Sequence, residues 1–102
     1  IANILERNCR EHRVVRWGGE EFLIILFNVT VDEAFDICER IRRQVEQFVV
    51  PYGKEWFSCT ITLGLHVFKP HEALEECISC ADKALYYGKR NGKNQSVWFE
   101  DL

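Results

Sequence analysis

Arg16-Trp17-Gly18-Gly19-Glu20-Glu21-Phe22 is the stretch on which the reading of this chain turns. Upstream, Val14 to Trp17 has the composition of a short strand. Downstream, Phe22-Leu-Ile-Ile-Leu-Phe27 is apolar on both faces, as in a central strand of a sheet. The Gly18-Gly19 pair between them tolerates positive φ and reads as a tight turn, so the two strands should form an antiparallel hairpin. Glu20 and Glu21 then stand at the rim of the sheet, where a ligand can approach the backbone closely. Carboxylate oxygens suit a hard cation such as Mg²⁺, which binds through one or two carboxylates together with substrate phosphates. An ordinary hairpin with solvated acids at its tip fits these seven residues equally well.

Working outward, Ile1, Ile4, Leu5 and Cys9 recur at helical spacing before the hairpin. After it, Thr30 and Glu33 have the spacing of a capping box. Ala34, Ile37, Cys38, Ile41, Val45 and Phe48 form one apolar stripe. Asp36–Arg40 and Glu39–Arg43 are opposite charges four residues apart on the outer face. Pro51 and Gly53 should end this element, and Trp56 to Phe68 reads as one long strand with an irregular start. A third helix follows Pro70, burying Leu74, Cys77, Ile78, Ala81 and Leu85, with Gly92 as its stop. Gln95 to Phe99 is a last short strand. The order is helix, strand, strand, helix, strand, helix, strand. One further strand in front would make a ferredoxin-like β-α-β-β-α-β core with an extra strand. The expected class is α+β, an antiparallel sheet with helices and its first strand missing.

Apolar residues make up 47 % and charged residues 28 % of the 102 positions, the balance of a globular chain. The longest apolar run, Phe22 to Phe27, is too short to span a bilayer, which needs about 20 residues. A net charge of −3 provides no global field for nucleic acid. The chain starts at Ile1 and contains no Met, which reads as a piece of a longer protein. Five dispersed cysteines without a secretory signal point to reduced thiols in a cytoplasm. Cys77 and Cys80, spaced CxxC, read as core thiols rather than a zinc or redox pair. His12, His66 and His71 lack metal-ligand spacing and read as surface or strand residues. Trp17, Trp56 and Trp98 read as packing.

A second constellation is Ala81-Asp-Lys-Ala-Leu-Tyr-Tyr-Gly-Lys-Arg-Asn-Gly-Lys-Asn94. Lys89 and Lys93 are four apart and would share a helical face if the helix continued that far. Two ammonium groups there could neutralise phosphate oxygens, or simply complement the helix dipole.

Taken together, three ordered motifs resemble the GGDEF family in its GGEEF form. They are the Val14–Leu23 hairpin, the Thr60-Ile-Thr-Leu-Gly64 strand, and Ala81-Asp-Lys-Ala-Leu-Tyr86 with Lys89 and Gly92-Lys-Asn94. The match covers about the last two-thirds of such a domain. The resemblance implies a diguanylate cyclase, a nucleotidyltransferase that converts two GTP molecules to cyclic di-GMP and pyrophosphate across a homodimer of facing domains. It implies two Mg²⁺ or Mn²⁺ ions, with Glu20 as metal ligand and Glu20 or Glu21 as catalytic proton acceptor. Gly18 and Gly19 match the turn that lets GTP approach. Lys89 matches a phosphate-contacting Lys, and Lys93 stands where Arg is usual. The family's first strand and helix, with a metal-binding Asp and the guanine-reading Asn and Asp, have no counterpart here. The isolated chain is therefore expected to be inactive. Cys9 and His12 replace the Arg and Asp of the family's inhibitory product site. The alternative reading is a regulatory GGDEF module that binds GTP or partners without turnover. The resemblance also implies an upstream sensory domain and a cytoplasmic location, the parent being free to carry a membrane anchor.

Overall fold

The computed structural model describes residues 2–18 and 21–102, apart from the side chains of residues 16–18. Helix α1 (Ala2–Asn8) leads into the hairpin β1 (Arg13–Gly18) and β2 (Glu21–Ile25). Helix α2 (Val31–Gln47) follows, then the short strands β3 (Val50–Tyr52), β4 (Glu55–Phe57) and β5 (Leu63–Leu65). Helix α3 (Leu74–Arg90), strand β6 (Ser96–Trp98) and a 3₁₀ turn (Phe99–Asp101) complete the chain.

The core sits where α1 crosses α2. Ile4, Leu5 and Cys9 meet Ile41 and Val45, with Val14, Phe22, Ile24 and Ile37 packed around them. The apolar stripe of α2 explains this, since Ile41 and Val45 are almost fully enclosed. Phe48, at the end of that stripe, is exposed, because the helix has already stopped at Gln47. The capping box at the other end is fully formed. Thr30 Oγ1 accepts the Glu33 N–H at 3.1 Å, and Glu33 Oε1 accepts the Thr30 N–H at 3.2 Å.

The expected outer-face ion pairs are rearranged. Glu39 binds Arg42 through two hydrogen bonds of 2.8 and 2.9 Å. Arg43 donates to the Glu39 carbonyl, and Arg40 turns to Asn8 at the end of α1. Each arginine thereby finds an acceptor fixed by packing, which a solvated partner four residues away does not offer.

Two sheet expectations need correction. Trp56 to Phe68 is not one strand. Val50–Tyr52 and Glu55–Phe57 pair as a small antiparallel hairpin, and only Leu63–Leu65 continues as a separate strand. Gly53 therefore turns the chain between the two strands, at φ +62°, and Pro51 stands within β3 opposite Trp56, neither merely ending a helix. Nor is there one antiparallel sheet. The described strands form three two-stranded ladders, β1–β2, β3–β4 and a parallel β5–β6. The α+β class stands.

Helix α3 lies directly on β5. A Cβ placed on Gly64 would come within 2.2 Å of the Ala81 carbonyl and 2.3 Å of the Leu85 N, so glycine permits this approach. Ala84 and Gly88 are buried on the same face. Leu74, expected inside, is exposed in the first turn.

Candidate active site

Strands β1 and β2 pair from Arg13 opposite Ile25 to Gly18 opposite Glu21, with an irregularity between Arg16 and Gly18. The expected antiparallel hairpin is present, and its strand ends converge on the Gly-Gly-Glu-Glu motif. Gly19 and Glu20 lie outside the described residues. Glu21 opens β2 and is exposed. Its Oε1 lies 3.8 Å from Lys89 Nζ, the two side chains being 46 % and 49 % exposed. An ion pair this open contributes at most about 1 kcal/mol. Its value is positional, because it sets the acidic hairpin beside the basic end of α3.

Lys93 is placed differently. The helix ends at Arg90, and Gly92 (φ +111°), Lys93 (+58°) and Asn94 (+46°) turn the chain through left-handed backbone. The Lys93 N–H bonds the Gly88 carbonyl at 2.9 Å, a Schellman-type closure. Lys89 and Lys93 consequently do not continue along one helical face. Arg90 turns onto Tyr86, donating to its hydroxyl at 3.3 Å with the guanidinium 5.3 Å from the ring centre. Among the described residues, Lys89 is the cation at this end of α3 that pairs with the hairpin.

Asn94 is a structural member that the sequence motif did not reveal. Its N–H donates to Thr62 Oγ1 at 3.1 Å, and its side chain bridges Arg42 and Glu46 of α2. This network, with Ser96 donating to Glu39, ties α2 to the segment that follows α3.

Cys9 and His12 are both committed to the fold. Cys9 is 3 % exposed, and burial pushes its thiol up. His12 Nδ1 accepts the Phe27 N–H at 3.0 Å and its ring stacks on Phe27.

His66 differs from the surface reading. Its side chain is 2 % exposed. Nε2 lies 2.9 Å from Glu72, and Nδ1 lies 2.6 Å from Glu100. Burial opposes a charge on the ring, but the bonds to Glu72 and Glu100 outweigh it and hold the pKa above its ordinary value. These partners are 6 and 34 residues away in sequence, beyond the reach of any local pattern. Trp56, expected to pack, is 71 % exposed on β4.

Residues 1–95 match the family model described as diguanylate cyclase, GGDEF domain. Diguanylate cyclase A of Treponema denticola is 37 % identical over 97 residues, covering 93 % of this chain and 26 % of that protein. Diguanylate cyclase DgcZ of Escherichia coli is 31 % identical over 102 residues, covering 99 % and 34 %. The chain thus spans between a quarter and about a third of these relatives. Among solved structures, the GGDEF domain of DgcB from Caulobacter crescentus, in complex with c-di-GMP, superposes with a TM-score of 0.91 at 28 % identity. That match covers 97 % of this chain and 60 % of the other. The active GGEEF domain of a diguanylate cyclase from Vibrio cholerae gives 0.83 at 28 % identity, covering 96 % and 63 %. Motif order, sequence identity and fold agree, and the chain belongs to the GGDEF-domain family of diguanylate cyclases.

Proposed function

We propose that this chain is the C-terminal part of a GGDEF catalytic module, whose parent protein condenses two GTP molecules to cyclic di-GMP and pyrophosphate. The observation that carries the reading is the approach of Glu21 to Lys89, 3.8 Å across the gap between hairpin and helix. Two motifs 68 residues apart in sequence (89 − 21) are thereby neighbours in space. An acidic rim facing a basic helix end is what a cation-bound triphosphate requires.

The donor chemistry fits a hard divalent cation. Glu21 offers exposed carboxylate oxygens, and Glu20 adds a second carboxylate beside it in sequence. These residues would hold Mg²⁺ or Mn²⁺. When bound, the cation neutralises phosphate charge and lowers the pKa of the attacking ribose hydroxyl. Glu20, or Glu21 beside it, takes the hydroxyl proton. Gly18 and Gly19 leave room for the nucleotide at the backbone. Lys89 places an ammonium against phosphate oxygens, and Lys93 adds positive charge from the loop past α3. Catalysis needs a second copy of the domain with its own GTP, and it needs the strand and helix that precede this segment in the family.

The test is formation of cyclic di-GMP from GTP and Mg²⁺ by the longer protein that carries this segment. Turnover there, with none by the 102-residue chain alone, is the expected pair of results. GTP binding without product by the longer protein would instead establish the regulatory alternative.

A further inference from the structure

The cluster around His66 is a second constellation, remote from the hairpin. His66 follows β5, Glu72 sits in the loop before α3, and Cys77 lies in the first turns of α3. One ligand atom from each lies within 4.8 Å of the others, and all three residues are half-buried. Cys77 and Lys89 are twelve residues apart on one helix, roughly 18 Å at 1.5 Å per residue. The cluster therefore cannot share a cation with the acidic rim beside Lys89.

We propose that His66 Nε2, a Glu72 carboxylate oxygen and Cys77 Sγ form a Zn²⁺ site, with a water in the fourth position. Each donor has the chemistry for it. Imidazole, carboxylate and thiolate together select a borderline-soft ion over Mg²⁺ or Ca²⁺, which prefer oxygen alone. The spacing is compatible. Zinc bonds of about 2.1 Å to nitrogen and oxygen give a tetrahedral edge of about 3.4 Å, and the His66–Glu72 separation is 2.9 Å. A small outward adjustment of the Glu72 side chain accommodates the ion.

The arrangement behind the imidazole is the second argument. Glu100 Oε2 lies 2.6 Å from Nδ1, and its other oxygen accepts the Val67 N–H. Glu100 holds the Nδ1–H. The ion displaces to solvent the Nε2 proton now shared with Glu72, and the freed Nε2 lone pair takes the metal, the usual carboxylate–histidine–zinc relation. Phe99 packs edge-on against the ring, 5.3 Å between centres, and limits its rotation. Two carboxylates around one imidazole suit a dication. Zinc displaces the thiol proton, so affinity rises with pH. The bound ion ties the end of β5, the loop before α3 and the start of α3 into one unit. This inference stands apart from the cyclase reading.

The experiment titrates the full chain, stripped of metal, with Zn²⁺ and with Co²⁺ as a spectroscopic probe. One equivalent should bind, with tetrahedral d–d bands and a thiolate-to-cobalt charge-transfer band that excess Mg²⁺ does not remove. Cys77→Ser should lose the charge-transfer band and at least tenfold in affinity, whereas Cys59→Ser should change neither. Glu100→Gln should keep the band and weaken binding about tenfold, the effect of removing an orienting partner. An unchanged cobalt spectrum in Cys77→Ser, or no stoichiometric binding by the native chain, overturns the proposal. Should Cys77→Ser fail to fold by circular dichroism, the native chain decides alone, since cobalt bound without a thiolate band contradicts the site.

Discussion

Lys89 contacts Glu21 across an open gap, and in a metal-bound complex it would be free to turn toward phosphate. A charge-assisted contact contributes about 1.5–3 kcal/mol. Lys89→Ala should therefore weaken GTP binding by roughly 10- to 150-fold, and Lys93→Ala by less, because Lys93 leaves the helix on left-handed backbone. A titration with fluorescent GTP in the longer protein measures both, and unchanged affinity in Lys89→Ala contradicts its role. Cys9 and His12 give a second prediction at this scale. One is buried in the core and the other accepts a backbone hydrogen bond, so neither can act as the Arg or Asp of a product site. Cyclic di-GMP should inhibit the longer enzyme only weakly, and tight non-competitive inhibition that His12→Ala abolishes would reveal a variant site. The hairpin that carries the Gly-Gly-Glu-Glu motif was legible in the sequence because a glycine pair between two apolar strands is a local signal. The role of His66 was not, since its partners come from a loop and from the last turn of the chain.

Among the elements, α2 was the most legible, for its cap, stripe and length are all encoded within it. The choice of ion partner was not encoded there. Glu39 took Arg42, three residues on, because Asn94 and Ser96 arrive from elsewhere to complete the network. The Arg42 guanidinium holds the Glu39 carboxyl below its ordinary 4.5 against the opposing effect of burial, and Ser96 assists. A carboxylate with a depressed pKa stabilises the fold above its ordinary pKa, and that contribution is lost as pH falls through the lowered value. The thermal midpoint of the native chain should accordingly fall more steeply on acidification below about pH 4.5 than that of Glu39→Gln, and the two curves should converge in acid. Parallel curves would show that the pair contributes nothing. The aromatic segment from Trp56 was misread for a related reason. β-propensity marks residues that suit a strand but does not name the partner strand: Glu55–Phe57 turns back at Gly53 onto Val50–Tyr52, whereas Leu63–Leu65 pairs with Ser96–Trp98.

At the scale of the molecule, the chain extends over 53 × 30 × 25 Å and the described strands stay in three separate ladders. Val15, Phe27, Tyr52, Trp56 and Phe57 are each more than 40 % exposed. Among the described residues, no helix is long and apolar enough to cross a membrane. Unpaired strand edges next to exposed apolar side chains favour association. The isolated chain should therefore run above its monomer mass in light scattering, and a stable monomer at high concentration would contradict this. The α+β class and family were legible because three motifs keep their order along the whole chain. The separation of the ladders was not, since it depends on long-range pairing. Glu20→Gln in the longer protein asks whether the hairpin acids serve phosphoryl chemistry. The amide keeps the shape but is a poor ligand for Mg²⁺ and takes no proton. Cyclic di-GMP formation at saturating Mg²⁺ should be abolished while stability changes by no more than about 0.5 kcal/mol, the range of an ordinary surface substitution. Near-normal turnover by a folded Glu20→Gln protein would contradict the account.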